Sequence, residues 1–80
     1  MDELDDLVTS SLEREITRDG ITVAVCIYRG RDDDGWILEV EDQEGGSTVW
    51  NEQFPTDQAA LDEAMRTIDT EGIGIFTSRP

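Results

Sequence analysis

Asp19-Gly20 stands between two runs in which apolar and polar residues alternate, and this arrangement commits the first part of the chain to a β-hairpin. A two-residue turn fixes the pairing of the strands it joins. Arg18 then faces Ile21, Ile16 faces Val23, and Leu12 reaches Ile27 if the first strand extends that far. Because side chains alternate across a strand, Leu12, Ile16, Ile21, Val23, Val25 and Ile27 share one face. Thr22, Ala24, Cys26 and Tyr28 share the other, which is less apolar but hardly charged.

Gly30-Arg31-Asp32-Asp33-Asp34-Gly35 has the composition of a loop, and Trp36 opens a second alternating run through Val40. Trp36, Leu38 and Val40 point one way, and Ile37, Glu39 and Glu41 the other. Gly45-Gly46 marks the next turn, followed by a short strand over residues 47–51. If Asp42 pairs near Ser47, Val49 joins the core face and Trp50 lies on the opposite face near Ile37. Pro55 closes the sheet segment. Thr56 is a good N-cap, with Asp57 in the first turn complementing the helix dipole. The stripe Ala60, Leu61, Ala64, Met65 and Ile68 predicts a helix that ends near Glu71, with Gly72 past its end. Ile68 and Ile73 then occupy the positions where a Schellman motif makes its hydrophobic contact. Residues 73–76 are expected to run back as a short extended segment.

Leu4, Leu7, Val8 and Leu12 recur at spacings of three and four, which reads as a short N-terminal helix. Thr9, Ser10 and Ser11 are poor helix formers, so a flexible tail is the competing reading for residues 1–12. Eighty residues suffice for one domain, here 13–76, with a frayed tail at 77–80. The expected fold class is α+β: an antiparallel meander of three to four strands, with one C-terminal helix packed on one face.

Ile16-Thr17-Arg18-Asp19-Gly20, Ile27-Tyr28-Arg29, Trp36-Ile37-Leu38-Glu39-Val40, Ser47-Thr48-Val49-Trp50 and the run from Thr56 to Glu63 resemble segments of small uncharacterised bacterial proteins. The resemblance covers roughly residues 13 to 73. It implies a bacterial domain of unknown function and supplies no catalytic residue.

The formal net charge is −14, from 20 acidic and 6 basic residues, and every basic residue is an arginine. Such a surface repels phosphate backbones and anionic lipid, so neither direct nucleic-acid binding nor membrane binding is expected. A helix, three strands and a helix is also the order of double-stranded-RNA-binding domains, and the charge argues against that function. The acidity also fits genome composition or a salty cytoplasm. The single Cys26 and the acidic start of the chain point to a cytoplasmic protein in a reducing compartment.

With no histidine and one cysteine, the usual zinc clusters and the Ser-His and Cys-His nucleophile pairs cannot be assembled within the chain. Cys26 lies mid-strand and reads as a small, partly buried thiol. The Asp32-Asp33-Asp34-Gly35 run lacks the ligand spacing and closing glutamate of an EF-hand and reads as a solvated turn. Gly72 and Gly74 have neither the spacing nor the following helix of a nucleotide-binding loop, and read as helix termination. Arg14, Arg18, Arg29 and Arg31 flank the hairpin and are expected to pair with neighbouring acids. No cofactor is expected, and no enzymatic activity.

One helix covers only one face of a sheet. The other face, where Tyr28, Ile37 and Trp50 are expected to gather with Ala24 and Cys26, is the candidate interaction face, unless the N-terminal helix or Ile75 and Phe76 cover it. The leading reading is an acidic, non-enzymatic interaction module that meets a protein partner or a second copy of itself through this face. Two alternatives are an acidic nucleic-acid mimic that binds a basic DNA-binding protein, and a ligand or enzyme site built at an oligomer interface.

Overall fold

The computed structural model describes residues 7–77. Expectations for residues 1–6 and 78–80 lie outside the described residues. The elements in order are β1 (Leu7–Thr9), β2 (Arg14–Arg18), β3 (Ile21–Gly30), β4 (Ile37–Asp42), β5 (Ser47–Val49), α1 (Asp57–Glu71) and a 3-10 turn at Ile73–Phe76. All strand pairs are antiparallel. The ten-residue β3 is central, with β1 and β2 in line along one side and β4 then β5 on the other. The fold is α+β, a five-stranded antiparallel sheet with one helix on it.

The hairpin forms in the expected register, Arg18 opposite Ile21 and Ile16 opposite Val23. Asp19 and Gly20 both take positive φ, 55° and 79°, the left-handed geometry that a tight hairpin turn demands and that these two residue types tolerate. The first strand does not run straight on to Leu12, however. Residues 10–13 stand opposite only Cys26 and Ile27, so the chain makes a detour there and then resumes pairing as β1. Side chains close the gap. The Glu13 carboxylate accepts the Ile27 N–H at 2.8 Å, which β2 would otherwise have satisfied. Ser10 N–H donates to Ile27 O, while its Oγ accepts from Leu12 N–H and donates to Asp57 at the start of α1. Leu7–Thr9 is therefore strand, and the helix expected over residues 1–12 does not occur in the part that is described. The spacing of three and four there carries less weight than the unpaired far half of β3, which gives Val8 and Thr9 a ladder to join.

The core lies between the sheet and α1. Val23, Val25, Ile27, Leu38 and Val40 are essentially inaccessible and meet Ala60, Leu61, Ala64 and Ile68 of the helix. Thr56 caps α1 from an extended conformation, its hydroxyl accepting the Ala59 N–H at 3.0 Å, an interaction worth about 1 kcal/mol. At the other end Gly72 N–H donates to Ile68 O, and its φ of 88° with ψ of 145° belongs to a region that essentially only glycine enters. Residues 73–76 then coil rather than extend. In a 3-10 turn positions three apart eclipse one another, so Ile73 and Phe76 are buried together while Ile75 is 49% exposed.

The β4–β5 register differs from expectation by one residue. Glu41 pairs with Ser47, Val40 with Thr48 and Glu39 with Val49, and the Asp42 N–H meets Gly46 O. Two backbone N–H groups, those of Glu44 and Gly46, donate to one carboxylate oxygen of Asp42 and fold the connection into a tight loop with Gly45 at φ 93°. A one-residue slip exchanges the faces of a strand. Val49 accordingly moves to the helix-free face, where it is 51% exposed, and Trp50 moves to the helix side. The exchange covers a tryptophan instead of a valine, the larger gain in apolar area.

Candidate functional site

The register assigns the helix-free face. Tyr28 stands between Thr9 and Ile37, Cys26 is opposite Glu39, which is opposite Val49, and Ala24 stands between Glu15 and Glu41. Leu7, opposite Gly30, extends the apolar end and is 48% exposed. The face is thus graded, with Leu7, Tyr28 and Ile37 at one end and carboxylates toward the other. The Tyr28 hydroxyl crosses the boundary and donates to Glu39 Oε1 at 2.9 Å. Partial burial and this bond to an anionic acceptor raise the phenol above its usual pKa.

Cys26 lies where the carboxylates converge. Its thiol is pushed up to about 11, first by burial and then by the charges of Glu41, Glu13 and Glu39. At neutral pH it is a protonated thiol in a negative field, the reverse of the electropositive setting that activates a nucleophilic cysteine.

Of the three residues expected on this face, Tyr28 and Ile37 are direct cross-strand partners there, and Trp50 is not. Trp50 packs on the helix side, its ring centroid 6.0 Å from that of Phe76 and its indole N–H donating to Glu63 Oε2 at 3.2 Å. Glu63 also accepts two bonds from Arg66, and these interactions hold its carboxyl below the usual range, Arg66 contributing most. Phe76, also on the helix side, does not cover the open face. Trp50, Phe76, Ile75, Thr48, Arg66 and Glu71 line a groove of about 480 Å³ between β5 and the end of α1. No single stretch of sequence announces this groove, because its walls come from three elements that only the register of β5 brings together.

The remaining candidates are occupied locally. Asp33 turns its carboxylate back onto the Gly30 N–H, and its carbonyl, with those of Gly30 and Arg31, receives Arg29 Nη1 at 3.0–3.1 Å. The Arg29 guanidinium lies 5.0 Å from the centre of the Trp36 ring. Arg18 forms an ion pair with Asp69 of α1, as expected of a hairpin arginine, whereas Arg14 donates to the Leu12 carbonyl. Among the described residues no group of three or more acidic, cysteine or histidine side chains is placed to hold a metal ion, and no helix is long and apolar enough to cross a membrane.

Together these features define a small acidic two-layer α+β domain with a helix over one sheet face and a graded apolar-to-acidic surface on the other. No protein-family model matches the chain, and neither does any curated protein or solved structure.

Proposed function

We propose that this protein is a non-catalytic interaction module that receives a basic protein surface on its helix-free sheet face. The observation that carries the reading is the convergence of Glu13, Glu39 and Glu41 around Cys26, beside the apolar cluster of Tyr28 and Ile37. Apolar contact supplies affinity at the centre of such a face, and the carboxylates supply steering and partner choice. Charge favours a basic partner over self-association, since two copies would bring −14 against −14. With its thiol held protonated at neutral pH, Cys26 is a poor nucleophile on this face.

Light scattering at low and high salt tests the self-association branch, and a monomer is expected in both. A dimer that persists in high salt would replace the basic partner with a second copy. Affinity capture with Ile37→Ser and Glu41→Gln, against Asp62→Asn on the exposed side of α1, tests the face itself. Capture of a basic partner should be lost with the first two and kept with the third. Equal capture by all three removes the proposal.

A further inference from the structure

The outer edge of β5 and the groove behind it form a second surface, separate from the helix-free face. Hydrogen-bonded and non-hydrogen-bonded pairs alternate along an antiparallel ladder. The Asp42 N–H bonds Gly46 and the Trp50 N–H bonds Leu38, so the hydrogen-bonded pair between them is Val40 with Thr48. Ser47 and Val49 therefore direct their N–H and C=O groups away from β4. The sheet order ends at β5, and all three of its residues are exposed. An edge with outward donors and acceptors is a template for one further strand.

We infer that this edge takes up an extended segment of a basic protein by strand addition. Side chains of an added strand alternate between the two sides of the sheet. Those on the helix side enter the groove, where Trp50 and Phe76 lie 6.0 Å apart and Ile75 is half exposed. The groove, about 480 Å³ and lined by apolar residues together with Thr48, Thr67, Arg66 and Glu71, leaves room for side chains of an added strand. The charge around it selects the class of segment. The Arg66 guanidinium is already bonded twice by Glu63 and is also held by the charge of Glu71, so carboxylates exceed cations there. The whole chain adds −14. A second copy pairing edge to edge would meet the same charge, which leaves a basic strand as the occupant.

The probe is a capped peptide in which arginine alternates with valine, titrated into the isotopically labelled protein. Saturable binding is expected, with slowed exchange of the Ser47 and Val49 amides and a shifted Trp50 indole signal. Val49→Pro deletes one outward N–H and no bond to β4, and should weaken binding about tenfold, as loss of an edge bond and its register implies. A peptide N-methylated at alternate residues makes the same test without altering the protein, and should bind at least as poorly should Val49→Pro fail to fold. Absence of saturable binding overturns the inference, as does equal binding of a glutamate-valine peptide or undiminished binding of the N-methylated one. Signal changes confined to Tyr28 and Ile37 also overturn it while leaving the helix-free face as the site.

Discussion

Trp50→Ala is expected to destabilise the fold while leaving the helix-free face intact. Replacing a fully buried large aromatic by alanine costs about 3–5 kcal/mol, and Trp50 is half-buried, so about 2 kcal/mol is expected from packing. The tilted ring pair with Phe76 and the indole bond to Glu63 add about 1 kcal/mol between them. A domain of this length has a total stability of roughly 4–12 kcal/mol, so a loss of about 3 kcal/mol leaves it folded with a much thinner margin. With an unfolding entropy of roughly 2.1 cal/mol/K per residue, the melting temperature should fall by roughly 15–20 °C. Urea unfolding followed by far-ultraviolet circular dichroism measures this without relying on the fluorescence of the remaining Trp36. The midpoint should fall with little change in slope. A loss below about 0.5 kcal/mol would refute the packing assigned to Trp50.

Three further outcomes follow from local geometry. Cys26 should resist alkylation at neutral pH and react at a rate that climbs toward pH 11, with Glu41→Gln shifting the profile to lower pH; a profile centred near the usual 9.0 would contradict the negative field. The same shift carries a stability signature. The unfolded chain ionises its thiol near 9.0 while the fold keeps it protonated to about 11, so this contribution is complete below pH 9 and declines as pH rises through that window. Ser10→Ala should cost roughly 1–3 kcal/mol in urea unfolding, because it removes the hydroxyl that both accepts from Leu12 and donates to Asp57, joining the strand detour to the helix start. Unchanged stability would show that water replaces both bonds.

Much of the fold was legible from local patterns. Asp19-Gly20 specifies its own turn, Thr56 its own cap and Gly72 the helix end, because each depends on backbone geometry within a few residues. The apolar stripe of α1 and the inward set of β3 follow from periodicity in the same way. The candidate face was legible only in part. Tyr28 and Ile37 were placed correctly because the β3 and β4 alternations are long, whereas Trp50 hangs on a three-residue strand whose register a single slip reverses.

The hairpin and its register, the β4 strand, the capped helix and its end, and a net charge of −14 are all set by local sequence. The detour at Ser10 that lets β1 pair with β3, the coiling of residues 73–76 and the side on which Trp50 lies depend on the assembled fold. In each of these the local pattern is compatible with more than one conformation. The choice falls to contacts distant in sequence: Asp57 for Ser10, the sheet–helix core for Ile73 and Phe76, and Phe76 with Glu63 for Trp50.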